Sequence, residues 1–435
     1  MYYSLQIIAG LSAVGLAVGV QGSISEPNTC SWGPFLTHRE LTCGAPQTKS
    51  QTPQPSTAFK VETPELWNSP NERYERPRKY KLPTGWKGPE HCFTDFCLYY
   101  NPDAGDGGMS LITTSRNAFI VASAVLPPSS GVEPTAYYEA EVPGKGVGLI
   151  ANRTIRKGEI IMQRAPALLI QSTPHIDLER EPRERMYQAA VDRLPERARE
   201  GFLRQMGETV YDKAEKNSFR MFVDGDRKHS AHLGLFPEVS KFNHDCRPNV
   251  HYRVTNLTHT TIAVRDIPPG TELTVSYIYT QVPRSTRLTQ LREWGFECTC
   301  SQCTLPPLEA GASDARIRQI DALEEEIESV MSRPGAPGLR PEMAGKLVEL
   351  YRMERLDAAL GPALTRAALI SAMFGREEEA RGFAREAAEA VERETGTGRK
   401  DAEAMRGLAR EPRGHWAWGV LEGRGEGKKN GTSGM

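Results

Sequence analysis

The sequence lacks both a long hydrophobic run and an excess of charge of either sign. Its main apolar stretch, Ile7 to Val20, is shorter than the roughly 20 residues that a membrane-spanning helix needs. Lys and Arg number 54 against 55 Asp and Glu, which gives a net charge of -1. Domains that bind duplex nucleic acid are usually clearly basic. These absences exclude a membrane bundle and indicate no direct nucleic-acid partner.

The short apolar stretch is typical of a secretory signal peptide. Val20 and Gly22 are small enough for the positions before a cleavage site, although no basic residue precedes the stretch. A buried helix or an uncleaved anchor is the alternative interpretation. We therefore predict a signal peptide at residues 1–22 and a secretory or extracellular location, with the cytoplasm or nucleus as the alternative.

Cysteine is scarce, and its eight copies fall into two groups. In an oxidising compartment the early four would suit two disulfides with three possible pairings, of which Cys92 with Cys97 is the most local. The late group contains a CxCxxC motif, one thiolate short of the four that a closed zinc site needs. The early group is Cys30, Cys43, Cys92 and Cys97, and the late group is Cys246, Cys298, Cys300 and Cys303.

The late group indicates a structural zinc site, because Cys246 is the only other cysteine in the β-rich region that precedes the CxCxxC motif. A closed tetrahedral site with four cysteine ligands suits a structural zinc ion. The alternative is that the motif is oxidised and that Cys246 is a buried free thiol.

Composition divides the chain into a Pro/Thr-rich region, a strand-rich region and a helical region. Residues 23–135 are rich in Pro and Thr and include two β-prone runs, HCFTDFCLYYN and SLITTSRNAFIVAS. Short strands broken by Gly and Pro follow from Ala136 to about Cys303, with apolar residues at helical spacing in an insert at about 179–216. The region after the last cysteine reads as helices, either a lobe packed on the β domain or a tetratricopeptide-like array.

Three separated motifs carry the chemistry. The first, Gly144 to Gly148, is a glycine-rich turn, but no helix follows it, so a dinucleotide or phosphate loop is excluded. The second, Phe242 to Asn249, is a polar, turn-prone octapeptide. The third, Glu272 to Tyr279, leads to the segment Trp294 to Cys303. Each motif alone is weak evidence, and the specificity lies in their order.

In this order the motifs resemble the SET domain family of protein lysine methyltransferases, over about residues 136–305. The matching segments are GKGVGL, FNHDCRPN, GTELTVSY and FECTCSQC. The helical insert and C-terminal region are similar to those of the SET-and-MYND class and its fungal relatives. Two departures are the missing MYND cysteine-histidine finger and Asp245, where many relatives have Ser.

The resemblance implies an α+β fold, with a β-rich SET domain, a helical insert, a post-SET zinc site and an α-helical C-terminal lobe. The predicted boundaries are 1–22 for the signal peptide, 23–135 for the Pro/Thr-rich region with a small disulfide-containing segment, 136–280 for the SET domain, 281–305 for the post-SET cysteines, 306–421 for the helical region and 422–435 for a disordered tail.

S-adenosyl-L-methionine is the methyl donor that the resemblance implies. Lys145, Gly146 and Val147 would then contact its methionine portion through their backbone. The other implied donor-binding residues are Asn243, His244, Tyr277 and Phe296, with Phe296 stacked on the adenine.

The resemblance also implies the catalytic residues. Tyr277 would supply the catalytic hydroxyl, and Tyr279 would shape the channel for the incoming lysine. The implied zinc ligands are Cys246, Cys298, Cys300 and Cys303.

Methyl transfer from a sulfonium depends on placement more than on strong acid or base catalysis. The attacking lysine must be neutral, whereas its ordinary pKa is about 10.4. Desolvation in an aromatic channel beside the sulfonium charge lowers that pKa, so no general base is needed, and His244 is expected to make structural hydrogen bonds.

The predicted function is S-adenosylmethionine-dependent methylation of a lysine on a protein or peptide. The alternative is an inactive SET-fold scaffold that binds partners through its C-terminal lobe. A third hypothesis, an extracellular disulfide-rich interaction protein, accounts only for the N-terminal region.

Overall fold

The computed structural model describes residues 80–127, 136–224, 230–255, 257–331, 338–396 and 398–422. The strands are β1 Lys87–Phe93, β2 Phe96–Asn101, β3 Met109–Thr114, β4 Tyr137–Val142, β5 Gly146–Ala151, β6 Ile160–Arg164, β7 Leu168–Gln171, β8 Ser218–Phe222, β9 Ala231–Leu235, β10 Asn243–His244, β11 Val250–Thr255, β12 Thr258–Ala263 and β13 Glu272–Val275. The helices are α1 Ser115–Ala122, α2 Ser172–Asp177, α3 Arg180–Asp192, α4 Glu196–Leu203, α5 Val210–Asn217, α6 Arg284–Glu293, α7 Pro307–Met331, α8 Glu342–Met353, α9 Leu360–Met373, α10 Glu377–Thr395 and α11 Lys400–Arg410.

The strands form three sheets, which confirms the predicted β-rich region followed by helices. A six-stranded sheet has the order β1-β2-β3-β7-β9-β8, a four-stranded sheet has β10-β13-β5-β4, and a three-stranded sheet has β11-β12-β6. The early hairpin β1–β2 carries the Cys92–Cys97 disulfide, the pairing named as the most local. Its neighbour β3 runs parallel to β7, so this hairpin layer continues the sheet of the main domain. Cys30 and Cys43 lie outside the described residues.

Sequence patterns misassigned one early element. The run Ser115 to Ala122 was expected to be β-prone, but it forms helix α1. The Thr114 side chain accepts a hydrogen bond from the backbone of Asn117, which caps the helix, and Ala118 and Val121 point into the core one turn apart. Apolar runs this short do not distinguish strand from helix by periodicity, so the cap decides the outcome.

The predicted helical insert at about 179–216 is present as α3 to α5, and the unpredicted short helix α2 precedes it after β7. Helix α3 buries Met186, Tyr187, Ala190 and Val191 on one face. This is the i, i+4 spacing of apolar residues that predicted a helix packed on the core. Helix α5 begins with a capping box between Thr209 and Asp212. The two strands that follow α5, β8 and β9, were not foreseen from the sequence.

The C-terminal lobe consists of α7 to α11 around an apolar core of its own. Helix α9 is buried along most of its length, and its alanines, among them Ala367 and Ala368, share that core with Ala384 and Ala387 of α10. Small side chains let two helices pack closely. The lobe is fastened to the β-rich region by a salt bridge from Arg265 to Asp357, with 2.8 Å between Nη1 and Oδ2.

The predicted secretory location is wrong. It depended on the apolar stretch at residues 7–20, which lies outside the described residues, as does the predicted C-terminal tail from residue 423 on. Among the described helices, none combines the length and the apolar composition that crossing a membrane requires. The described part of the chain thus gives the predicted signal peptide no support.

Candidate active site and metal centre

One small sheet brings the three sequence motifs together. The short strand β10 runs parallel to β13, with Asn243 opposite Thr274 and His244 opposite Val275. On its other side β13 runs antiparallel to β5, which follows the glycine-rich turn. Motifs that are far apart in the sequence therefore lie on adjacent strands.

Asn249 fixes the position of β13 against the turn that follows β10. Its Oδ1 accepts a hydrogen bond from the backbone nitrogen of Thr274 at 2.8 Å, and its Nδ2 donates to the carbonyl oxygen of Glu272 at 2.8 Å. The side chain is buried, so losing either bond would leave a polar group unsatisfied. The sequence placed Asn249 in a motif but gave it no role of its own.

Glu272 joins the glycine-rich turn to the Asn-His motif. Its Oε2 lies 2.7 Å from Lys145 Nζ, and its Oε1 accepts a hydrogen bond from Asn243 Nδ2 at 2.9 Å. A Cβ added at Gly148 would lie 2.9 Å from Asn243 Nδ2 and 3.0 Å from Glu272 Oε1. Gly148 therefore permits this close approach, and sequence reasoning missed Glu272 as a member of the site.

The glycine-rich turn itself is open on its outer side. Gly144 and Gly146 have φ values of 75° and 73°, the left-handed region that favours glycine. A Cβ added at either glycine would meet no atom within 4 Å. Their backbone conformation therefore requires glycine, while the space beside Lys145 leaves room for a ligand to approach the backbone.

Tyr277 lies inside an aromatic cluster. Its hydroxyl donates a hydrogen bond to the carbonyl oxygen of Phe242 at 2.7 Å. Its ring centroid lies 4.8 Å from that of Trp294, 5.5 Å from that of His244 and 6.3 Å from that of Phe296, which is perpendicular to it. Burial, and to a smaller extent the charge of Glu272, raises the pKa of Tyr277, so this hydroxyl stays protonated at neutral pH.

Trp294 is a second residue that sequence reasoning named only as the start of a segment. The sequence feature that could have indicated its place in the site is its position shortly before Phe296 and Cys298.

His244 connects Tyr277 to the cysteine cluster. Its Nδ1 accepts a hydrogen bond from the backbone nitrogen of Tyr277 at 3.1 Å, and its Nε2 lies 3.3 Å from Cys246 Sγ. Because a backbone N–H only donates, the neutral ring carries its proton on Nε2, toward the sulfur. Burial lowers the pKa of His244 to about 4. The imidazole is therefore neutral and has a partner at both nitrogens.

Asp245, the departure from Ser, closes the turn between His244 and Cys246. Its Oδ1 accepts a hydrogen bond from the backbone nitrogen of Arg247 at 2.7 Å. Such Asx turns are made by Asp and, more weakly, by Ser. The substitution thus preserves the local turn.

Tyr279 lies apart from the aromatic cluster. Half of its surface, 51%, is exposed. Partial burial raises its pKa, and the carboxylates of Glu324 and Asp321 in α7 add to the effect. Tyr279 is thus near α7 of the C-terminal lobe.

The four late cysteines converge at one point. Their sulfur atoms all lie within 4.8 Å of one another, the Cys246 and Cys303 sulfurs are 3.5 Å apart, and all four residues are buried. Four sulfurs about 2.3 Å from a tetrahedral zinc ion would be about 3.8 Å apart. The donor set and its spacing therefore fit zinc.

A buried arginine lies beside the cysteine cluster. Arg247 and Arg287 are both fully buried, and Arg247 Nη1 donates a hydrogen bond to the carbonyl oxygen of Cys246 at 2.8 Å. Burial is the largest cause that lowers the pKa of both His244 and Arg247, and the charge of Arg287 adds a smaller lowering to each. The charge of Arg247 is already paired with the carboxylate of Glu354, so it does not by itself balance the net negative charge of four thiolates around a divalent ion.

Comparison with known proteins gives a family match over part of the chain. Residues 146–278 match the model of the SET domain family. The chain is 31% identical to N-lysine methyltransferase SMYD2-B of Danio rerio over 124 residues, 28% of each chain. It is 31% identical to human N-lysine methyltransferase SMYD2 over 127 residues, 28% of this chain and 27% of that protein.

A third relative is a SET and MYND domain-containing protein of Dictyostelium discoideum, 39% identical over 83 residues, 18% of this chain and 16% of that protein. The chain thus spans less than a third of the length of these curated relatives.

Proposed function

We propose that this chain, whose SET domain is similar to that of the SMYD class of lysine methyltransferases, is an S-adenosyl-L-methionine-dependent protein lysine N-methyltransferase. The observation that carries this proposal is the convergence of Asn243, His244, Tyr277 and Phe296 at the junction of β10 and β13. A protein or peptide lysine is the proposed substrate.

The proposed donor-binding residues are Lys145, Gly146, Val147, Asn243, His244, Tyr277 and Phe296. When bound, the donor supplies a methyl group made electrophilic by its sulfonium. Its amino acid part carries one positive and one negative charge, and the pair of Lys145 and Glu272 offers the complementary charges beside the Asn243 amide. The open side of the glycine turn leaves the backbone at residues 145–147 accessible to it.

Tyr277 is the proposed catalytic residue. Its hydroxyl proton is directed at the carbonyl oxygen of Phe242, so the oxygen lone pairs remain available as acceptors. Weak C–H···O contacts to them, each worth about 0.5–1 kcal/mol, would orient a methyl group. The hydroxyl does not need to lose its proton, in agreement with its raised pKa.

The acceptor lysine must enter as a neutral amine. Trp294 and Phe296 pack against the ring of Tyr277, and an amine that enters beside these rings would lose water, which lowers its pKa. His244 is neutral and has a partner at both nitrogens, so we assign it no role as a base. Tyr279 would shape the outer part of the channel, between Tyr277 and the C-terminal lobe.

Zinc is the proposed structural ion of the Cys246, Cys298, Cys300 and Cys303 cluster. It would hold the turn after β10 against the segment that contains Phe296. Phe296 packs on the same apolar cluster as the cysteines, so the ion would fix the aromatic wall beside Tyr277.

Donor titration and methyl transfer test the proposal together. The wild-type protein should bind S-adenosylmethionine in isothermal titration calorimetry and should methylate at least one member of a broad panel of lysine peptides and proteins, followed by mass spectrometry. Tyr277→Phe should retain donor affinity within about threefold and lose at least about 100-fold in turnover, because it removes a contact to the reacting group.

Tyr138→Phe is the matched control, because Tyr138 is an exposed tyrosine of β4, and its activity should be unchanged. Donor binding without any methylated product would favour the inactive scaffold. The absence of donor binding would contradict the proposed function altogether.

A further inference from the structure

Arg247 links the Asn-His motif to the C-terminal lobe. Its Nη2 lies 2.7 Å from Glu354 Oε2, and its Nε donates to the carbonyl oxygen of the same residue. Both side chains have at most 1% of their surface exposed. The other arm of the guanidinium donates to the carbonyl oxygen of Cys246. A residue just beyond α8 is thus connected to the backbone of one proposed zinc ligand.

The same carboxylate reaches the other half of the cysteine cluster. Glu354 Oε2 accepts a hydrogen bond from Ser313 Oγ at 2.8 Å and lies 3.4 Å from Gln302 Nε2. Gln302 lies between Cys300 and Cys303 in the sequence, and its Nε2 donates to Ser313 Oγ at 2.6 Å. Glu354 therefore contacts segments that carry cysteines on both sides of the cluster.

This carboxylate is charged at neutral pH. Burial raises the pKa of Glu354, but hydrogen bonds from Arg247, Ser313 and Arg316 outweigh burial and lower the pKa overall. Arg316 Nε adds a contact of 2.7 Å to Oε1. A buried ion pair is often no more stabilising than an apolar pair of the same size. Stability alone therefore does not explain why so many groups converge on one buried charge.

We propose that Glu354 is a positioning residue through which the C-terminal lobe holds the two halves of the cysteine cluster together. Its loss would let the Cys246 turn and the Cys298–Cys303 segment separate more easily, and the cluster would release its metal faster. This inference rests on the zinc site of the proposed function. It assigns to the lobe a role in metal retention, independent of any partner bound there.

The rate of zinc release tests the inference directly. The zinc-loaded full chain is mixed with excess of a chromophoric chelator, and Glu354→Gln should release zinc at least tenfold faster than the wild type. Glu386→Gln is the control, because Glu386 pairs with Arg352 at 2.6 Å in the same lobe but both side chains are half exposed. It should release zinc within twofold of the wild-type rate.

A double variant separates positioning from folding. Arg247→Met with Glu354→Leu replaces the buried charges by apolar groups, so its melting temperature should return toward the wild-type value. Zinc release should nevertheless stay fast, because neither new side chain bonds to the Cys246 carbonyl or to Gln302. Slow zinc release from this double variant would show that Glu354→Gln acts only by lowering the stability of the fold, and it would overturn the inference.

The remaining outcomes distinguish failure of the zinc site from failure of the role assigned to Glu354. A wild-type protein that binds no zinc would overturn the zinc site and this inference together. Zinc binding by the wild type with an unchanged release rate in Glu354→Gln would overturn the inference and leave the proposed function intact.

Discussion

The proposed active site and the C-terminal lobe are built in opposite ways. In the site, contacts join residues that are far apart in the chain, such as Asn243 Nδ2 with Glu272 Oε1 and Cys246 Sγ with Cys303 Sγ. In the lobe, successive helices pack through small apolar side chains such as Ala367 and Ala387. Polar contacts define the geometry of the site, whereas apolar burial supplies the stability of the lobe. Changes in the two regions should therefore have different consequences.

The largest effect is expected at the cysteine cluster. Cys303→Ser should abolish stoichiometric zinc binding and lower methyl transfer by about 100-fold or more, because a structural zinc site that loses a ligand loses much of its binding free energy. Zinc content is measured by atomic absorption on the purified protein.

The control is the double variant Cys92→Ser and Cys97→Ser, which removes the disulfide between β1 and β2 and should retain zinc. Full zinc occupancy in Cys303→Ser would contradict the proposed ligand set.

A smaller effect is expected where the site is held by charge. Glu272→Gln keeps the shape of the side chain but leaves Lys145 without its carboxylate partner, so the dissociation constant for S-adenosylmethionine should rise about 10-fold, or roughly 1.4 kcal/mol. Titration calorimetry measures this. Glu139→Gln is the matched control, since Glu139 pairs with Lys241 on an exposed surface and should leave donor affinity unchanged. Equal affinities for all three proteins would remove Glu272 from the donor site.

The sequence was informative where chemistry is concentrated in short motifs. Three cysteines within a few residues required one further ligand, and Cys246 is indeed beside them. The predicted fold class followed from the same ordered motifs. The roles of Glu272 and Glu354 could not be predicted, because Lys145 is 127 residues from Glu272 and Arg247 is 107 residues from Glu354. Such pairs become visible only when the sheets and the lobe are assembled.

Local signals also failed where an element is short. Helix α1 has only eight residues and is capped by Thr114, and β8 pairs with β9, which in turn pairs with β7. Strand pairing of this kind is a tertiary property that neither segment encodes alone.

Within the lobe, an overpacked core should affect stability alone. Ala387 of α10 is fully buried in the apolar core of the lobe, and Ala387→Leu should lower the free energy of unfolding by about 1–3 kcal/mol. Donor affinity of the folded protein should be unchanged. Ala322→Leu on the exposed face of α7 is the control and should leave stability nearly unchanged. A large loss of donor affinity in Ala387→Leu would break the division between the two regions.

The smallest expected effect is a pH dependence of the lobe. Glu394, at the end of α10, is buried, and its Oε1 accepts a hydrogen bond from the backbone nitrogen of Gly361 at 3.0 Å. Burial raises its pKa to about 8, against weaker lowering by Gly361 and Arg393. The unfolded chain has an ordinary glutamate pKa of about 4.3, so the folded state binds the proton more tightly. Stability should therefore fall as pH rises from about 4.3 to about 8.

Glu394→Gln keeps the acceptor for Gly361 but cannot ionise, so it should lose this decline. The measurement compares free energies of unfolding between pH 6.5 and 8, and because the buried histidines contribute equally to the wild type and the variant, the difference between the two profiles isolates Glu394. The wild type should lose about 1–2 kcal/mol more than the variant over that range. Glu389→Gln, at an exposed position of the same helix, should follow the wild-type profile. Parallel profiles for the wild type and Glu394→Gln would mean that Glu394 is already ionised in the folded lobe.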